Sequence, residues 1–176
     1  CMENGLLDCE QYLEEAMAEH ATAQCPPLLA QALNYAVFPG GARVRPKICK
    51  AVALANNSSD VGLADAAASA IELLHCASLV HDDLPCFDDA TQRRGKPSVH
   101  AKYGERIAVL TGDALIVAAF QTLATHAIHA VRTERVPLVT AIVARGVGAP
   151  HGICAGQAWE CERSVDLSRY HRAKTG

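Results

Sequence analysis

One stretch limits the possible folds more than any other: the apolar run from Val61 to Leu84, which ends in Ser78-Leu79-Val80-His81-Asp82-Asp83-Leu84-Pro85-Cys86-Phe87-Asp88-Asp89. A run of this length and alanine content predicts a helix apolar nearly all round, hence a central one. Four carboxylates crowd its C-terminal end, where acid opposes the helix macrodipole. Arg93 and Arg94 follow almost at once. Clustered carboxylates beside guanidinium groups predict a divalent cation shared with a polyanion. Mg²⁺ is the expected cation and a diphosphate the expected guest, since Mg²⁺ keeps several waters and is commonly completed by phosphate oxygens, and arginine forks match phosphate geometry. A solvated acidic helix end with a basic turn behind it is the plain alternative.

The spacing refines this. Residues seven apart on a helix differ by roughly 20° and lie about 10 Å apart along the axis, so His75 and Asp82 share a face. On an unbroken helix Asp88 would point about 120° away from Asp82. Pro85 predicts that the helix does not run on, which lets a turn over Leu84–Phe87 bring Asp88 back towards Asp82.

The rest of the chain reads as helices separated by breakers. Helices are predicted over Leu6–Ala23, Leu28–Val37, Lys47–Ala55, Glu105–Thr125, Pro137–Val147, Ile153–Glu160 and Leu167–Gly176, the last with Asp166 as N-cap. Ser98–Gly104 reads as a connecting segment. Gly112, inside a helix, predicts close approach by a neighbour. No stretch alternates as a strand does, and only 5 % of residues are aromatic, so the fold class is all-α, with 1–176 read as a single domain. Gly40-Gly41-Ala42-Arg43-Val44-Arg45-Pro46 places two arginines where a helix begins, which suits an anion; an ordinary turn is the alternative. The net charge of −3 has no block of like sign, so nothing points to nucleic acid. No apolar run approaches the roughly 18 residues of a membrane span, and no signal-peptide pattern opens the chain. The eight cysteines are scattered without a C-x-x-C and read as free thiols of a cytoplasmic protein. His126 and His129 read as a solvated pair, Trp159 as a core residue, and His81 either as a support for Asp82 or as a packed helix residue.

Together these pieces resemble the trans-isoprenyl diphosphate synthases, specifically the bacterial geranylgeranyl and farnesyl diphosphate synthases. The motifs that carry the resemblance are Gly40-Gly41-Ala42-Arg43-Val44-Arg45-Pro46, His75 with Asp82-Asp83-Leu84-Pro85-Cys86-Phe87-Asp88, Arg93-Arg94-Gly95, Gly112-Asp113, Gly156-Gln157 and Lys174-Thr175-Gly176. The resemblance implies a helical bundle around a central cavity, usually dimeric, that condenses isopentenyl diphosphate with an allylic diphosphate, geranyl or farnesyl. It implies that Asp82 and Asp88 hold Mg²⁺, that Asp83 supports them, and that Arg93 and Lys174 bind the allylic diphosphate. It assigns isopentenyl diphosphate to Arg43, His75 and Arg94, helped by Arg45 or the backbone at Gly41, and places Thr175 and Gln157 near the developing cation.

Ala77, five residues before Asp82, and Ser78 are small where short-chain members often carry an aromatic residue; this implies an open tunnel and geranylgeranyl diphosphate as product, with farnesyl diphosphate as the alternative. Two departures stand out. Ala42 replaces a frequent lysine, and the family's second aspartate-rich motif, expected beyond Lys174-Thr175-Gly176, does not occur in these residues. The expectation is that they form the N-terminal portion of a longer synthase, or else a non-catalytic small subunit of a heteromeric one. A terpene synthase, which needs no isopentenyl diphosphate site, and an HD-type phosphohydrolase, suggested by His81-Asp82, are the remaining alternatives.

Overall fold

The computed structural model describes residues 4–38, 40–56, 58, 60–126, 133–164 and 166–175, without the side chains of 4–9, 126 and 175. Although the sequence reads as one domain, the chain divides into two compact units, Cys1–Val131 and Arg132–Gly176. The all-α expectation is met, with helices close to the predicted bounds.

The first unit holds α1 (Asn4–His20), α2 (Pro27–Val37), α3 (Val44–Ala55), α4 (Val61–Asp82), α5 (Val99–Tyr103) and α6 (Glu105–His126). Its centre is α4, which packs chiefly along α6 and also against α3, α1 and α2. Asp60 caps α4 by accepting from the Leu63 amide at 3.2 Å. Small residues make the close packing possible: Ala66, Ala68, Ala70 and Ala77 of α4 and Ala108, Ala118 and Ala119 of α6 are all buried. Leu13, Leu33, Leu73, Leu115 and Leu123 fill the spaces between, each fully buried and each contributing about 1.5–3 kcal/mol by leaving water.

Gly112 behaves as predicted. A Cβ there would collide with the His81 ring, whose Nε2 lies 3.2 Å from the Val109 carbonyl oxygen. His81 is thus a packed helix residue seated on α6.

The expectation that no apolar run approaches a membrane span is corrected: by length and composition α4 and α6 are each long and apolar enough to cross one. For α4 the cause is a core position: 72 % of its apolar window is buried. Its two interior acids are paired, Asp65 with Lys50 at 2.8 Å and Glu72 with Arg43 at 2.7 Å.

Two local expectations are corrected. Ser98–Gly104 contains a helical turn, α5, because the Ser98 hydroxyl accepts from the Ala101 amide at 3.4 Å and Gly104, at φ 88°, stops it. A two-stranded antiparallel hairpin also occurs, β1 (Gln92–Arg93) against β2 (Lys96–Pro97). Arg94 and Gly95 both take positive φ, 52° and 76°, as tight hairpin turns require.

The second unit comprises a 3₁₀ turn at Thr133–Arg135, α7 (Val136–Val147), α8 (Ile153–Trp159) and α9 (Leu167–Thr175). The break over Gly148–Gly152 and the Asp166 cap are as predicted. The Asp166 carboxylate accepts from the Ser168 and Arg169 amides at 3.0 and 3.2 Å.

Candidate active site

The site of the first unit begins where α4 ends. The backbone folds back on itself after Asp83: the Leu84 amide donates to the His81 carbonyl (3.1 Å), the Asp88 amide to Asp82 (3.0 Å) and the Ala90 amide to Asp83 (3.1 Å). Asp88 is therefore returned to the side of Asp82, as Pro85 suggested, and Asp89 closes the turn at φ 49°.

The carboxylates divide by environment. Asp83 is buried and gripped by Arg93, whose Nε lies 2.9 and 3.0 Å from its two oxygens and whose Nη2 lies 2.6 Å from Oδ1. Asp82 is only partly covered, 3.8 Å from the same guanidinium, and Asp88 is exposed. The Arg93 pKa is raised, first by the hydrogen bonds to Asp83, against burial, and then by the charges of Asp83, Asp82 and Asp88. One guanidinium thus feels all three acids.

The Asp82 and Asp88 carboxylates are hard oxygen donors of the kind Mg²⁺ takes. Among the described residues no three His, Cys, Asp or Glu side chains converge into a ready cage. That donor set fits a cation completed by water and phosphate oxygens, and does not fit a zinc-type site.

A second group of side chains, around His75, is cationic. Arg94, held at the hairpin turn, rests on Gly41: a Cβ there would stand 2.5 Å from Arg94 Nη1. Arg45 projects from the first turn of α3 and is exposed, and His75 is half-buried on α4. Burial lowers the His75 pKa; Arg45, Arg94 and Arg93 push it the same way, with Glu72 opposing. Among the described residues neither Arg45 nor Arg94 is paired with a carboxylate. Like charges gathered in this way suit an anion. A cavity of about 240 Å³ lies here, lined among others by Gly40, Leu79, Asp83, Arg93, Arg94 and Lys96.

Arg43 departs from its expected role. Its guanidinium turns inward, bound to Glu10, Glu72 and the Val37 carbonyl, because the half-exposed Glu10 of α1 and the buried Glu72 of α4 capture it before solvent or a ligand does. Lys96 was missed as a lining residue; its signal was the third positive charge in Arg93-Arg94-Gly95-Lys96. Ala77 is buried, and the Ser78 hydroxyl donates to the His75 carbonyl at 2.8 Å.

In the second unit Lys174 pairs with Glu160, which also accepts from the Tyr170 hydroxyl at 2.7 Å. The pairing itself raises the Lys174 pKa and lowers that of Glu160. Gln157 is half-buried on α8, while the Thr175 side chain, Gly176 and the His126–His129 pair lie outside the described residues.

Burial and the neighbouring arginines hold His75 below the usual imidazole range, which favours the neutral ring in the free protein. A bound diphosphate reverses the local field and stabilises the imidazolium. The His75 ring signals, followed by NMR against pH, are expected to titrate below pH 6.5 without ligand and to move upward when inorganic diphosphate is added. An unmoved midpoint would separate His75 from the anion.

A largely helical protein that gathers Asp82, Asp83 and Asp88 about Arg93, with Arg93 and Arg94 lining one cavity, defines a class suited to phosphate esters and a divalent cation. The comparisons narrow that class: the chain belongs to the polyprenyl synthetase family, whose model matches residues 26–176. It is 56 % identical over 172 residues to a geranylgeranyl diphosphate synthase of Cereibacter sphaeroides and 53 % identical over 167 residues to one of Rhodobacter capsulatus. Each match covers 95 % of this chain, but only 59 % and 57 % of the relative's length. Among solved structures it is similar to a geranyltransferase from Legionella pneumophila (TM-score 0.85, 32 % identity, 99 % of this chain and 62 % of that one). It is also similar to an FPP/GFPP synthase from Zymomonas mobilis (TM-score 0.79, 34 % identity, 99 % and 66 %). The isoprenoid synthase-type helical fold expected from the motifs is therefore established.

Proposed function

We propose that the protein acts as a prenyltransferase, joining isopentenyl diphosphate to an allylic diphosphate with Mg²⁺ at Asp82 and Asp88, and that geranylgeranyl diphosphate is its product. The observation that carries this reading is the gathering of Arg45, Arg94 and Arg93 around His75, with Arg93 also close to the three acids and Arg93 and Arg94 both lining the cavity. A terpene synthase needs the carboxylates but not the second anion site. The names of the 56 % and 53 % identical relatives support both the reaction and the C20 product, as do the small residues Ala77 and Ser78.

The reaction breaks the allylic C–O bond, the electron pair leaving with diphosphate. The isopentenyl double bond supplies the electrons of the new C–C bond, and the proton then lost from the condensed cation passes to the departed diphosphate. When bound, Mg²⁺ supplies Lewis-acid neutralisation of the departing diphosphate. Asp82 and Asp88 would hold it, and Arg93, fixed by Asp83, adds its charge on the same side. Arg94, Arg45, His75 and the Gly41 backbone would hold isopentenyl diphosphate by charge and hydrogen bonds. The apolar helices exclude water from the cation. Lys174, Thr175 and Gln157 keep the roles that family membership suggests for them.

A homodimer is supported by exposed Val109, Leu110 and Val117 on α6, and a cytoplasmic location by free cysteines such as Cys76, Cys86 and Cys154. Incubating the full-length protein with isopentenyl diphosphate, farnesyl diphosphate and Mg²⁺ is expected to yield a C20 diphosphate, identified by chromatography. Ionised farnesyl products without condensation would favour a terpene synthase, and phosphate release alone a hydrolase.

A further inference from the structure

Arg43 stands in the same glycine–arginine segment as Arg45, yet the two side chains have opposite fates. Arg45 is exposed, whereas Arg43 is buried and forms four hydrogen bonds. Its Nε donates to Glu10 Oε1 at 2.8 Å, Nη1 to Glu72 Oε1 at 2.7 Å, and Nη2 to the Val37 carbonyl at 2.9 Å and Glu10 Oε2 at 3.2 Å. One guanidinium thereby joins α1, the end of α2 and α4 at the point where α3 begins. Four of its five N–H donors are spent on protein acceptors, and its side chain is 5 % exposed, so a phosphate finds neither a free fork nor a path to it.

The surroundings are built for this inward pose. Arg43 takes φ 49° just before α3, a left-handed conformation that costs a non-glycine residue about 1–3 kcal/mol and persists only when contacts hold it. Gly40 leaves the room, since a Cβ there would overlap the guanidinium. Glu72 is buried, with an exposure of 4 %, and stands three residues before His75, on the same face of α4. The arginine that secures the segment is therefore anchored beside the histidine of the anion site.

We propose that Arg43 is a positioning residue: through Glu72 it locks the segment of residues 40–45 onto α4, so that Gly41 and Arg45 stand at the isopentenyl diphosphate site that Arg43 itself does not touch. This rests on the function proposed above. Removing the lock leaves Arg45 in the chain but free to wander, which weakens one substrate and spares the other.

The test compares wild type with Arg43→Met, Arg43→Lys, Glu72→Gln and the double variant Arg43→Met/Glu72→Gln in the full-length protein. Arg43→Met and Glu72→Gln are each expected to raise KM for isopentenyl diphosphate about 10-fold or more, with KM for farnesyl diphosphate changed less than about twofold. The double variant should be no worse than Arg43→Met alone, since both remove one interaction. Arg43→Lys should not rescue, because an ammonium cannot reproduce the fork. Normal kinetics in Glu72→Gln beside an impaired Arg43→Met, or additive losses in the double variant, would overturn the proposal in favour of direct contact.

Glu72→Gln, which keeps the shape but removes the charge that pairs with the guanidinium and so weakens the clasp, decides the matter even if Arg43→Met does not fold. Backbone ¹⁵N order parameters over Gly41–Arg45 separate the lock from the function. They should fall from about 0.85 to below about 0.6 in Glu72→Gln, and unchanged values would sink the lock. A fall in a protein whose wild type binds no isopentenyl diphosphate would leave the lock standing and remove the proposed function instead.

Discussion

Replacing Asp82 by alanine is expected to lower turnover about 1,000-fold or more while leaving the melting temperature equal or higher. The loss follows from the assigned role, since removing one group that stabilises charge developing in a reaction costs about 100- to 1,000-fold, and here the cation's grip on the diphosphate goes with it. The stability follows from position. Asp82 is the last residue of α4 and only partly covered, so its charge opposes the helix dipole by about 0.3–1 kcal/mol. Asp83→Ala should behave in the opposite sense, losing stability because Arg93 is left without its bidentate partner. Steady-state kinetics and thermal unfolding on both variants check the pair. An Asp82→Ala enzyme with near-normal turnover would remove the metal assignment.

The second large effect is on product length. Ala77→Tyr is expected to shift the product from C20 to C15 or shorter, with total turnover retained within about 10-fold. Ala77 lies one turn before His81 on α4 and is buried, where a phenol ring must take the volume a growing chain would occupy. Overpacking a filled core costs about 1–3 kcal/mol, so some loss of melting temperature accompanies the shift. Chromatography of the extracted products decides. An unchanged product distribution would place the end of the tunnel elsewhere, and a variant that unfolds without changing product would make Ala77 a packing residue alone.

The helices were legible because their signals are local. Pro27, Gly104 and Asp166 punctuate them, and the alanine-rich, nearly all-apolar run Val61–Asp82 declares a central helix. The return of Asp88 towards Asp82 was legible through Pro85. The hairpin was not: strands of two residues are too short to alternate, and their signal, two residues at positive φ, falls on an arginine as well as a glycine. The fate of Arg43 was hidden for another reason. Nothing within the segment of residues 40–46 distinguishes Arg43 from Arg45; Glu10 and Glu72, which claim its guanidinium, lie 33 and 29 residues away. Motif spacing found the charged groups, and long-range pairing sorted those that face a ligand from those that face the core.

The Asp83–Arg93 clasp ties the acidic end of α4 to the hairpin that carries Arg94. In the proposed reaction a single ion pair thus links the acids assigned to the cation with the hairpin whose Arg94 is assigned to the anion. Loss of either residue alone strands a charge against a covered surface, whereas an exchange of both for a matched neutral pair removes the penalty. Positions 83 and 93 should therefore drift as a couple over evolutionary time, and a lineage that has abandoned one of them should be found to have abandoned both.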